Sequence, residues 1–133
     1  MHVVGLGAHR PGLTHVEQAL AEVPEDALAE IPEDAPRVVF MHNPASFPQM
    51  PAASAPLAVA GHHHCGQIAV PGLPAWSWLE LRGNERVVTD GFAPQGYGAD
   101  GNRLYVTRGI GFSVVPARIA TPPQAVFFDL RAP

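Results

Sequence analysis

Residues 61 to 67 read GHHHCGQ, three imidazoles held between two glycines with the only thiol of the chain beside them. Neutral imidazole is the commonest side-chain ligand for zinc and other borderline metals, so this spacing points first to metal chemistry. A fourth imidazole, His42, follows the apolar run RVVFM just as His62 follows PLAVA and Gly61. If the backbone is extended at 62–64, side chains alternate, so His62 and His64 point to one side and His63 to the other. Gly61 and Gly66 favour such a path because glycine permits tight backbone courses close to a ligand. A polar turn without metal is the competing reading, and three histidines after a buried strand with a fourth in a matching position weigh against it. Cys65 reads most simply as a small buried residue.

The elements that must position these rings are short strands. RVVFM (37–41) and PLAVA (56–60) are brief apolar runs without alternation, as expected of strands covered on both faces. Sites in α/β proteins form where loops leave the carboxyl ends of such strands, and neighbouring strands would bring His42 and His62 together. HVVGL opens the chain as a further strand. GLTHVEQALAEVP then carries Leu13, Val16, Leu20 and Val23 at helical spacing, with Thr14 and Glu17 as a capping box and Pro24 as the stop. The acidic segment PEDALAEIPEDAP is broken by Pro24, Pro32 and Pro36 and reads as solvated turn or short helix. Gly83-Asn84-Glu85 and Gly101-Asn102-Arg103 read as hairpin turns. Trp76 and Trp78 alternate around Ser77 as in a strand, and Phe127 and Phe128 in AVFFDL read as core or sheet residues.

A length of 133 residues, 47% apolar, fits one domain able to bury a core. The formal charge of −4 supplies no basic field for a phosphate backbone, which disfavours bulk nucleic-acid binding. A single cysteine makes no internal disulfide, no apolar run approaches the length of a membrane span and no signal peptide is found, so the expected compartment is the cytoplasm. Fifteen prolines and thirteen glycines make the chain rich in turns without forming a linker. Arg108 and Arg118 flank the turn GIGFSVVP; either could meet a phosphate as a bidentate fork, or be satisfied by backbone carbonyls.

Three stretches, in order, resemble the calcineurin-like metallophosphoesterases, in their bacterial phosphodiesterase branch. GHHHCGQIAVPG resembles that family's G-H-T-H-G-G-Q, and VVFMHNPASF its upstream strand with an H-x-P element. NRLYVTRGIGFSVVPARIATPPQAVFFDL is similar to its closing segment, where a glycine-rich turn, a proline and an arginine precede a final strand. The resemblance runs from Val3 to Leu130. It implies an α/β fold, the carboxyl-terminal half of a four-layer β-sandwich with flanking helices and mostly strands after residue 37, forming a single partial domain over 1–133. It implies hydrolysis of phosphate esters, with His42 and His62 ligating one ion and His64 another, the metals being Mn, Fe or Zn. His63, Arg108 and Arg118 are the candidate substrate-binding residues. His63 stands where the family has threonine, Cys65 where it has glycine and Ala45 where an acidic residue is common.

The family's D-x-H, G-D-x-x-D and G-N-H-D motifs, which provide the bridging aspartate and most ligands of the first ion, are not found. Asp26, Asp34, Asp90, Asp100 and Asp129 lack the matching context. Two divalent ions a few Å apart repel strongly without a bridging carboxylate, so at most one ion per chain is expected. An all-imidazole set favours Zn, Ni or Cu over Mg or Mn. The expectation is therefore a phosphoesterase fragment active on a phosphate-ester small molecule only when completed by an amino-terminal half. The alternatives are a non-catalytic metal-binding or interaction module and, least favoured, an enzyme assembled from several copies. A truncated sandwich leaves a sheet edge or face uncovered, which predicts self-association or a missing partner.

Overall fold

Valine and isoleucine suit a pleated backbone, whereas proline and glycine interrupt it, and this chain alternates the two in short blocks. In the computed structural model, which describes residues 2–6, 32, 35–77 and 90–131, the result is a set of short strands joined by long irregular connections. They are β1 (His2–Leu6), β2 (Arg37–Met41), β3 (Leu57–Ala60), β4 (Ala69–Val70), β5 (Leu73–Ser77), β6 (Gly91–Phe92) and β7 (Leu104–Val106). Single 3₁₀ segments at Pro44–Gln49 and His64–Gly66 are the helical elements among the described residues.

Five strands form one mixed sheet in the order β1-β2-β3-β7-β6. The first four run parallel and β6 pairs antiparallel with β7. A mixed sheet of this kind is compatible with the α/β class. Register aligns Val4, Val39, Ala58 and Leu104 in one row. Val39, Met41, Ala58, Ala60, Leu104 and Val106 are all buried on that face, covered by Phe47, Met50 and Ala55 from the β2–β3 connection. Asn102 ties this cover to the β6–β7 loop: the Ala55 amide donates to its Oδ1 at 2.9 Å, and its Nδ2 donates to the Pro51 carbonyl at 2.8 Å.

The next row across the sheet is Gly5, Phe40, Val59, Tyr105 and Phe92. Here the expectation of strands covered on both faces is corrected, because Phe40 is 48% and Phe92 51% exposed. The apolar runs lack alternation because aromatic side chains cover this second face in part: Phe92 and Phe128 both meet the Tyr105 ring edge-on, at 5.0 and 5.2 Å. β4 and β5 form a separate two-stranded hairpin about Pro71-Gly72, where φ of +82° at Gly72 is the left-handed step glycine supplies. The hairpin reading of Gly101-Asn102-Arg103 fits the antiparallel β6–β7 pair that its loop connects.

Two further expectations are corrected. Among the described residues after 37 the chain is not mostly strand; turns and irregular backbone dominate, and 107–131 holds only one isolated bridge, Ile119 to Ile68. AVFFDL is not laddered, and Phe127 is 96% exposed rather than in a core. Strand propensity alone does not order a segment that lacks a paired neighbour. The expected helix at 13–23, the acidic segment through residue 31, Gly83-Asn84-Glu85, Trp78, Asp26 and Asp34 lie outside the described residues.

Candidate functional site

Parallel pairing sends the chain out of β2, β3 and β7 at the same end of the sheet, so His42, Gly61-His62 and Thr107-Arg108 emerge side by side. The Gly61 amide donates to the His42 carbonyl at 3.3 Å and the Thr107 amide to the Ala60 carbonyl at 2.9 Å, which continues the ladder into the loops. The His42 and His62 rings stand 4.6 Å apart between centroids, tilted by 56°. The juxtaposition expected from the strand ends is therefore present.

The path of GHHHCGQ differs from the extended one expected. His62, His64, Cys65, Gly66 and Gln67 all have positive φ, between 51° and 72°, while His63 lies in the right-handed helical region. The loop winds tightly instead, with the Gly66 amide donating to the His63 carbonyl at 2.7 Å and the Gln67 amide to the His64 carbonyl at 2.9 Å. Alternation does not apply to such a coil. The His63 ring also neighbours that of His62, at 5.2 Å between centroids, and His63 is only 5% exposed. Left-handed backbone costs about 1–2 kcal/mol for each residue bearing a Cβ. A loop carrying four such residues needs external ties.

Gln67 supplies the first tie. It is 5% exposed; its Nε2 donates to the Val115 carbonyl and its Oε1 accepts from the Ser113 amide, both at 2.7 Å. Its carbonyl accepts from the Ile119 amide at 3.0 Å and from the Thr121 hydroxyl. Sequence reasoning gave Gln67 no role, although an amide lodged between Gly66 and the apolar run IAV is the signal that would have marked it. Arg118 supplies the second tie. Its guanidinium donates to the carbonyls of Thr121 (2.7 Å), Gly111 (2.5 Å), Arg108 (3.0 Å) and His64 (3.3 Å). Four of the five N–H groups of an arginine are used in this way, so Arg118 does not present a free fork to a phosphate. Of the two readings open in the sequence, the backbone-satisfied one holds for it.

Arg108 is differently placed. Its Nε donates to Asp90 Oδ1 at 3.0 Å, and that bond to the carboxylate raises the guanidinium pKa above its ordinary value. The pair is partly exposed, and among the described residues Nε is the Arg108 side-chain nitrogen that makes a hydrogen bond. The other described aspartates are remote in role: Asp129 pairs with Arg131, and Asp100 lies in the loop entering β7 from the opposite end of the sheet. That loop, 92–104, also lines a hollow of about 620 Å³, which is thus separate from the histidines.

His64 packs beside the glycine-rich turn. A Cβ added at Gly109 would lie 3.7 Å from its Nδ1 and one at Gly111 3.9 Å from its Cε1. Nδ1 is buried without a hydrogen-bond partner. Burial lowers the His64 pKa most, the positive charge of Arg118 lowers it further, the Arg108 carbonyl opposes the shift, and His42 adds a smaller lowering. The net shift favours the neutral ring, the form that binds metal.

Two imidazoles at this separation can both reach one ion at the roughly 2.0–2.1 Å of a metal–nitrogen bond. A complete centre is not assembled: among the described residues no group of three or more His, Cys, Asp or Glu is arranged to hold a metal. Among the described residues the donors would fit part of a one-ion site and not a two-ion centre. Among the described residues no helix is long and apolar enough to cross a membrane. No family model, curated protein or solved structure matches the chain.

Proposed function

We propose that this chain is the histidine-bearing part of a metal-dependent phosphoesterase, the carboxyl-terminal half of a four-layer sandwich whose remaining ligands come from a complementing polypeptide segment. The observation that carries this reading is the meeting of His42 and His62 at the tips of adjacent parallel strands, 4.6 Å apart. The ordered resemblance of GHHHCGQ, VVFMHNPASF and the closing segment to the metallophosphoesterases supports it. A divalent ion bound there would supply Lewis acidity toward a phosphate ester. The chain's own part is to hold His42 and His62 on a rigid strand pair, to keep His64 neutral, and to offer the terminal amino groups of Arg108 to an anion. Zn or Ni suits the imidazoles on this chain, whereas Mn, Fe or Zn suits the completed site.

The test is metal binding together with turnover of a chromogenic phosphodiester. The chain alone binds no more than one Zn or Ni ion and shows no turnover above a His62→Ala, His64→Ala control. Addition of a segment carrying D-x-H, G-D-x-x-D and G-N-H-D restores turnover. Wild-type protein that takes up no more metal than the double-alanine control refutes the proposal. A second reading, a non-catalytic module binding one transition metal, is favoured by the lack of a third donor grouped with the histidines among the described residues. Metal binding without turnover in the completed mixture selects it.

A further inference from the structure

His62 stands against His42 on a backbone that its own residue type disfavours, since its φ is +71°. Relaxation to negative φ would redirect its Cα–Cβ bond and swing the ring away from His42. Such strain persists at a site only where the surroundings over-determine it. On one side the loop is pinned to the sheet by the bond from the Gly61 amide to the His42 carbonyl at 3.3 Å. On the other side it is pinned to residues 113–121. The Gln67 carbonyl accepts from the Ile119 amide at 3.0 Å, its side chain pairs with Ser113 and Val115, and Ala69 donates to the Ile119 carbonyl at 2.9 Å. Between these anchors, Nη2 of Arg118 donates to the His64 carbonyl at 3.3 Å and to that of Arg108 at 3.0 Å. The anchoring segment itself buries little. Ile110, Phe112, Val114 and Val115 are all exposed, so polar ties rather than apolar burial keep it closed. Segments of that kind open locally at low free energy.

We infer that Gln67 and Arg118 are positioning residues for the metal site, and that closure of residues 113–121 onto Gln67 is coupled to occupancy of the His42–His62 pair. The inference rests on the reading of these two histidines as ligands and is independent of phosphoesterase turnover. With the ties closed, the strained loop is held where both rings reach one ion, so the ordering cost is met before the ion arrives. With the ties open, His62 relaxes and the ion keeps His42 alone. Linkage makes the effect reciprocal: closure strengthens metal binding by the same factor by which bound metal strengthens closure. Residues 113–121 thereby respond to metal at the strand tips although none of them touches it. Ligand-orienting residues outside the coordination shell act on affinity in this way.

Amide hydrogen exchange of the full chain with and without Zn(II), measured alongside zinc affinity, tests it. In the wild type, saturating zinc slows exchange of the Ser113 and Ile119 amides, the two that donate to Gln67, by at least about tenfold. The slowing disappears in His62→Ala. Gln67→Ala binds Zn(II) about 10–100-fold more weakly than the wild type, the range for loss of a residue that orients a ligand. Gly98→Ala, which crowds Phe47 beneath the opposite end of the sheet, keeps the wild-type zinc affinity, so lowered stability alone does not account for the loss. The exchange measurement uses the unaltered chain and decides the matter even where Gln67→Ala fails to fold. Zinc that binds through His62 yet leaves Ser113 and Ile119 exchange unchanged, or that binds Gln67→Ala as tightly as the wild type, overturns the coupling and leaves the metal reading standing. A wild-type chain that takes up no zinc overturns both.

Discussion

The His42 and His62 rings are neighbours because β2 and β3 are parallel and adjacent, with Phe40 beside Val59 in register. Antiparallel strands would have sent the two histidines to opposite ends of the sheet. Thr107 and Arg108 join the same end for the same reason, since β7 pairs with β3 in parallel. Sheet direction, not the tripeptide of histidines, brings the two rings together.

Gln67 holds the wound histidine loop to the 109–121 segment, and its loss should be felt at a distance. Gln67→Ala leaves the Ser113 amide and the Val115 carbonyl without their 2.7 Å partners, and is expected to destabilise the fold by about 2–3 kcal/mol. Urea unfolding gives the magnitude. Hydrogen exchange locates it, with faster exchange expected at the Ser113 amide while that of Val39 stays protected.

Arg118 offers a sharp contrast between charge and geometry. Arg118→Lys keeps the charge but lacks the planar fork that serves four carbonyls. It should cost nearly as much stability as Arg118→Ala, on the order of 2 kcal/mol. A lysine variant as stable as the wild type would show that charge near the loop suffices.

Gly98 sits against the core aromatic Phe47 with φ of +93°, and a Cβ there would fall 2.7 Å from the ring. Gly98→Ala combines backbone strain with overpacking and should cost about 2–4 kcal/mol. Adding Phe47→Leu makes room for the methyl, so the double variant should lose less than the sum of the single losses, as a thermodynamic cycle from denaturation curves would show.

The lowered His64 pKa fixes the direction of one pH effect. In the metal-free chain the unfolded ring takes up its proton near the ordinary value of 6.5, while the folded ring resists until lower pH. The unfolded state therefore binds more protons across that window, and stability falls as pH drops from about 6.5 toward the depressed folded value. Denaturant midpoints measured through this range should slope less steeply in His64→Gln than in the wild type. Equal slopes would place the acid sensitivity elsewhere.

The strands and their meeting histidines were legible in the sequence because they rest on local pattern. RVVFM and PLAVA are brief apolar runs ending at turn residues, and they become β2 and β3 with shifts of at most one residue. The loop conformation was not legible. Nothing in GHHHCGQ announces four non-glycine residues at positive φ, since that path is imposed by long-range ties from Gln67 and Arg118 rather than by local preference. AVFFDL misled for the converse reason: its composition specifies a strand, but pairing requires a neighbour that composition does not reveal. The arginines could be separated only by their partners, carbonyls for Arg118 and a carboxylate for Arg108.

Metal content per chain after equilibrium dialysis against Zn(II), compared between wild type, His42→Ala, His62→Ala and Phe127→Asp, tests the central claim most directly. The wild type and Phe127→Asp should retain up to one ion, and each histidine variant should bind at least about tenfold more weakly, the usual penalty for losing a ligand or its support. Retention that is the same in all four proteins, or zinc bound by none of them, would contradict a metal site built on His42 and His62.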